Sequence, residues 1–322
     1  MRTMHVNRGL LFWGLALVTA GAIALASSQG WIESGLLVGL WRLWPVVLIA
    51  IGLSIVLSRT PLAIIGTLIA ALVVGVAGGA LLAAGPGTVA CGDGPSTTET
   101  SGGEFTVPEA TVDLDLNCGD LRVALTDGAG WQAVTGVNDD DPPQLNAMEG
   151  SLDIRSNGGS VPFRRERQDW GITLGRDVAY EISASLNAAD ATFDLGGGSF
   201  GRIGLDPNAG SVDLDLTGAE VADLRVSLNA GSMSVTADTE TDIGGVINVN
   251  AGSVNLCVPD GTALRIGVDS SVAFAHDLDE SGLVQTDDTY TSDGFESADN
   301  RIELRLEGNA ASFDLNPEDG CA

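Results

Sequence analysis

The chain has 322 residues, 43 of them acidic and 15 basic, and a formal net charge of −28 at pH 7. All the basic residues are arginine, and acidity of this extent repels phosphate backbones, which excludes nucleic acid as a partner class. The 44% hydrophobic content is unevenly spread: residues 1–90 carry only Arg2, Arg8, Glu33, Arg42 and Arg59 as charges, so an apolar part precedes an acidic one.

Three apolar stretches, near residues 10–26, 36–57 and 62–84, fall in the length range of about 17–25 residues with which a helix crosses a bilayer. They predict a three-span anchor over residues 1–84. Arg2 and Arg8 before the first span, and Arg59 between the second and third, put the N-terminus in the cytoplasm. Three crossings then leave the rest of the chain outside. Arg42 departs from that charge rule and is expected to snorkel to the headgroups beside Trp41 and Trp44, which with Trp31 suit an outer aromatic belt. In an alternative reading the first span is a signal peptide cleaved near Ala24-Leu25-Ala26; two crossings from an outside N-terminus keep the large domain on the same side. Gly35/Gly39 and Gly75/Gly79 permit close helix packing, within the anchor or between copies. Residues 85–104, rich in Gly, Pro, Ser and Thr, read as a linker.

From there to residue 318 the pattern is repetitive. A unit of the form Asn-Ala-Gly-Ser (Asn-Ala-Ala-Asp in the first copy), followed by alternating apolar residues, starts at Asn187, Asn208, Asn229 and Asn250, an interval of 21 residues each time. Looser copies begin at Asn117 and Asn309, and degenerate ones at Gly150-Ser151-Leu152 and Ser271-Val272-Ala273. After the turn, Val212, Leu214 and Leu216 alternate with Asp213 and Asp215; before it, Leu224, Val226 and Leu228 alternate with polar residues. Period two sends side chains to opposite faces and means strand. Each unit is therefore strand, Asn-Gly turn, strand, second turn. A unit this short cannot bury its apolar face alone, so neighbours must stack, which predicts an all-β, right-handed solenoid. Asn and Gly at fixed positions suit corners with positive φ, and stacked Asn side chains are placed to bond along the solenoid axis. Arg164, Arg165 and Arg167 form the one dense basic run of this part, a loop that pairs with acidic neighbours or a docking patch for an anionic polymer or partner protein.

Arg8-Gly9-Leu10-Leu11-Phe12-Trp13-Gly14 and Leu40-Trp41-Arg42-Leu43-Trp44-Pro45 resemble the LiaI/LiaF-type transmembrane region. The stacked Asn-Ala-Gly-Ser strands look like the toast-rack, adhesin-like β domain that often accompanies it. The resemblance implies a bacterial envelope protein. Relatives of this type include accessory regulators of antibiotic-responsive two-component signalling. Some relatives place the β domain differently from the outside location expected here.

No catalytic set or cofactor motif emerges. His5 and His276 are the only histidines, and His276, beside Asp277 and Asp279, is expected in a solvated polar loop. Calcium is the best metal candidate, because it takes clustered carboxylate oxygens. Asp139, Asp140 and Asp141 form one acidic loop, Asp277, Asp279 and Glu280 another, Asp287 and Asp288 a third, yet none fits a known calcium-loop spacing. Cys91, Cys118, Cys257 and Cys321 all fall in the part expected outside, where an even count favours disulfides. Of the three pairings, proximity favours Cys91–Cys118 with Cys257–Cys321, a staple at each end. The expected function is a non-enzymatic, membrane-anchored envelope module that senses stress or binds a membrane protein partner. The alternative is a structural or adhesive surface protein whose repeats self-associate or bind envelope polymer.

Overall fold

The computed structural model describes residues 14, 17–19, 91, 97–137, 142–157, 167–317 and 321, with the side chains of 137 and 270–273 left aside. The chain divides into two compact units, Met1–Ala90 and Cys91–Ala322. Of the first unit only Gly14 and residues 17–19 are described, and they are helical. The three expected spans thus lie almost wholly outside the described residues, among which no helix is long and apolar enough to cross a membrane.

The second unit is built from strands. Each structural repeat is a rung of two arms joined at a corner. In β12 (Glu220–Thr236), β13 (Asp242–Cys257), β14 (Leu264–His276) and β17 (Ile302–Leu315) both arms belong to one long strand. Elsewhere the corner separates two: β2 (Glu109–Leu116) from β3 (Gly119–Thr126), β8 (Ala179–Leu186) from β9 (Ala189–Asp194), and β10 (Ser199–Pro207) from β11 (Ser211–Asp215). β6 (Ser151–Arg155) and β7 (Gln168–Gly175) supply the arms of one more rung. The rungs pair in parallel, in the order β6/β7, β2/β3, β8/β9, β10/β11, β12, β13, β17, β14.

Register turns the period-two pattern into columns. In the first arm Ile154, Leu114, Ala184, Leu205, Val226, Ile247, Leu306 and Val268 follow one another rung by rung, and all are buried. In the second arm Trp170, Leu121, Ala191, Val212, Met233, Val254 and Phe313 do the same. Both arms feed one continuous apolar core. Each large side chain taken from water in this way contributes roughly 1.5–3 kcal/mol, the main term holding the stack together.

The stack order differs from chain order at both ends. β2/β3, first in sequence, lies between β6/β7 and β8/β9; β17, last in sequence, lies between β13 and β14. Antiparallel strands flank the outermost rungs. β4 (Gly130–Val137) pairs with β7 and with β1 (Thr97–Glu104), β5 (Gln144–Met148) pairs with β6, and the hairpin of β15 (Val284–Thr286) and β16 (Thr289–Thr291) joins β14.

Two expectations change here. β1 lies inside the stretch read as linker; its side chains are almost all exposed, and the backbone ladder to β4 holds it rather than burial. The degenerate copy at Gly150-Ser151 is a first-arm strand beside β2, not one that follows a corner.

Candidate functional site

The corners carry the repeat's most regular chemistry. Asn187 Nδ2 donates to Asn117 Oδ1 at 2.9 Å, Asn208 to Asn187 at 2.9 Å, Asn229 to Asn208 at 2.7 Å, Asn250 to Asn229 at 2.8 Å and Asn309 to Asn250 at 3.0 Å. An amide both donates and accepts, so one residue type at one position can bond its own copies without end. The ladder runs along the stack axis and uses the side chains structurally. Next to it, Gly210, Gly231 and Gly252 have φ of 127°, 129° and 142°. A Cβ on any of them would meet the carbonyl oxygen of the neighbouring corner at 1.9–2.0 Å.

Of the basic run, Arg164 and Arg165 lie outside the described residues. Arg167 bonds Asp120 and, at 3.1 Å, Asp169, both on the outer face of the second arm. Burial works against its charge, yet the two carboxylates outweigh that and raise its pKa further. Its charge is thereby committed within the fold.

The acidic loops separate in the same way. Asp139, Asp140 and Asp141 are outside the described residues. Asp277 accepts from the Leu315 amide at 2.9 and 3.1 Å, and Asp279 accepts from the Tyr290 hydroxyl at 2.7 Å. That hydroxyl is pushed up to about 12, first by the bond to Asp279 and then by burial. Among the described residues no group of His, Cys, Asp and Glu is arranged to hold a metal ion. His276 is not in a solvated loop. It ends the apolar column of the second arm opposite Phe313, half-buried, with its ring 5.6 Å from Tyr290 and 6.2 Å from Phe274.

The cysteines form two disulfides, Cys91–Cys118 and Cys257–Cys321. Cys118 sits in the corner between β2 and β3, and Cys257 ends β13.

One feature had no counterpart in the sequence reading. On the outer face of the first arm, near the β14 end, a cleft of about 620 Å³ opens over the backbone of Gly244, Gly245 and Gly267. Arg265, Arg305, Asp269, Asp288, Glu303 and Thr289 line it. Register makes it a patterned surface: Gly244, Glu303 and Arg265 follow one another across the rungs, as do Val246, Arg305 and Gly267. The outward glycines in Ile243-Gly244-Gly245 and Ile266-Gly267-Val268 were the available signal.

Residues 95–238 match the family model of the N-terminal domain of toast_rack, and residues 11–56 match that of the LiaI-LiaF-like transmembrane region. No curated protein matches the chain. Among solved structures, a candidate cell adhesion protein from Clostridium sporogenes is 13% identical with a TM-score of 0.41, over 68% of this chain and 99% of that one. A candidate adhesin from Bacteroides fragilis is 13% identical with a TM-score of 0.25, over 68% and 97%. Another, from Parabacteroides merdae, is 6% identical with a TM-score of 0.23, over 68% and 96%. None of these families or structures is described as an enzyme. The chain is thus similar to the LiaI-LiaF-like transmembrane region over residues 11–56 and to the N-terminal domain of toast_rack over residues 95–238.

Proposed function

We propose that this is a multi-pass, membrane-anchored envelope module whose β domain stands outside the cytoplasm and serves, without catalysis, as an accessory binding partner in envelope-stress sensing. The observation that carries the reading is the pair of disulfides, one at Cys91 just beyond the apolar part and one near the C-terminus. Such bonds persist in oxidising compartments and are rare in the cytosol. The LiaI-LiaF-like region before them supports attachment to a membrane. The stack supports a binding role, because its arms present long, regular outer faces of polar and charged side chains.

The test is labelling of intact cells with a membrane-impermeant thiol reagent. All four cysteines are paired, so labelling is expected only after reduction with an agent that leaves the cells closed. Labelling that requires lysis would put the domain in the cytoplasm and end this reading.

A further inference from the structure

We infer that the cleft over Gly244, Gly245 and Gly267 binds a neutral, hydroxyl-rich saccharide segment. This rests on the reading of an extracytoplasmic binding module and names its site and ligand class.

The argument starts from Gly267. A glycine inside a strand weakens it, through backbone entropy and lost packing, and commonly marks a close approach by a ligand or another backbone. The other two glycines have internal reasons: a Cβ on Gly245 would meet the Leu224 carbonyl oxygen at 2.3 Å, and one on Gly244 the Ala222 oxygen at 3.3 Å. At Gly267 a Cβ would meet nothing within 4 Å, and its φ is not positive. Nothing described within the domain calls for glycine there. What the missing side chain does is keep the cleft floor low between Arg305 on β17 and Thr289 on β16.

The walls are lined by surface ion pairs. Arg265 lies over the Phe295 ring at 4.1 Å, bonds Glu296 and stands 3.6 Å from Glu303. Arg305 is 2.8 Å from Asp269 and 3.4 Å from Glu307. A guanidinium has five donors in one plane, and these carboxylates take only part of the set. Asp288 and Thr289 reach the cleft from the hairpin of β15 and β16, whose tip is tied to β14 by the Val268 amide donating to the Asp288 carbonyl at 2.8 Å.

Charge rules against an anionic ligand. Both arginines are already outnumbered by Asp269, Asp288, Glu296, Glu303 and Glu307, so an anion meets net repulsion. A sugar carries no charge, and its hydroxyls both donate and accept. It therefore uses guanidinium donors, carboxylate acceptors and the Thr289 hydroxyl together. The volume lies within the range of about 300–1,000 Å³ usual for small-ligand sites.

The test uses the full chain in lipid nanodiscs, purified without glycoside detergents, and titrated with neutral hexasaccharides of glucose, mannose and N-acetylglucosamine. At least one should bind, and Gly267→Val should weaken it by about tenfold or more, since the valine fills the floor. Val suits a strand, so the variant should fold; thermal unfolding verifies that. Gly171→Val, at a glycine of β7 that is equally open but outside the cleft, should leave binding unchanged. Absence of binding by all three sugars overturns the inference, as does binding indifferent to Gly267→Val. So does binding of hexalysine, sensitive to that variant, with no sugar binding, which would make this a cation site. A nanodisc has no sidedness, so failure here leaves the cell-labelling result standing, and the reverse also holds.

Discussion

At each corner the chain turns within a space set by the rung beside it. Gly231 turns with φ of 129° and lies so close to Gly210 that a Cβ would sit 2.0 Å from its carbonyl oxygen. Ala189 and Ala311 occupy the equivalent place in their rungs without positive φ, so the corner has a second solution that the stack uses only at some rungs. Gly231→Ala combines left-handed strain, of order 1–3 kcal/mol, with a backbone clash, and we expect a loss of about 2 kcal/mol or more. Thermal unfolding of the full chain measures it; an unchanged midpoint would mean that the corner relaxes into the Ala189 form. These residues were legible in the sequence because the requirement is chemical and repeats. An amide can extend the Asn ladder with its own copies, and at the corners with positive φ only glycine fits beside the neighbouring carbonyl. Gly267 was not legible as special, because its distinction is an open place on the floor of a cleft, which only coordinates reveal.

At the level of elements, the turns opposite the corners are tied by side chains. Asp238 Oδ1 accepts from the Gly218 amide at 2.9 Å and the Glu240 amide at 3.0 Å, and Thr241 Oγ1 lies 2.8 Å away. One carboxylate thus joins the loop before β13 to the turn before β12. Burial works to raise the Asp238 pKa, but the bonds from Thr241 and the amides of Gly218, Glu240 and Thr241 outweigh it, and the net shift is downward. A folded-state pKa below the ordinary value stabilises above that value, and the contribution is lost as pH falls through the folded one. The stability difference between the native chain and Asp238→Asn should stay level from pH 7 to about 5 and narrow below about 4. Melting curves across that range check it, and a gap that widens in acid would mean the clamp does not depend on the carboxylate. The rungs themselves followed from alternation in sequence. Their order did not, since a column of Val, Leu and Ile accepts any similar rung as its neighbour. The insertion of β2/β3 and β17 one step inside each end has no local signal. β1 was missed because Thr-Thr-Glu-Thr-Ser-Gly-Gly-Glu shows no apolar alternation.

On the scale of the whole molecule, a stack whose rungs touch only their neighbours has stability that is roughly a sum over rungs and interfaces, and it is weakest at its ends. The disulfides act near them: Cys118 lies one rung inside one end and Cys257 two rungs inside the other. Their sequence separations of 27 and 64 residues imply, by loop entropy, about 3.5 and about 4.3 kcal/mol of stabilisation. Replacing Cys91 and Cys118, or Cys257 and Cys321, by serine in pairs should lower stability by amounts of this order. Amide hydrogen exchange should then rise first near the altered end, with β12 protected longest. Uniform acceleration throughout would mean that the domain unfolds as one block and the ends hold no separate role.

Cys91 also decides where a mechanical load enters. Tension carried along the chain from residues before 91 crosses the disulfide to Cys118 and bypasses everything between, including β1, which has a single ladder partner and would otherwise peel first. The pull instead arrives at the corner of β2/β3, a rung paired on both sides. Reduction of that one bond would move the point of loading from an interior rung to an edge strand, so the redox state of that bond sets how much tension the domain bears before it begins to open.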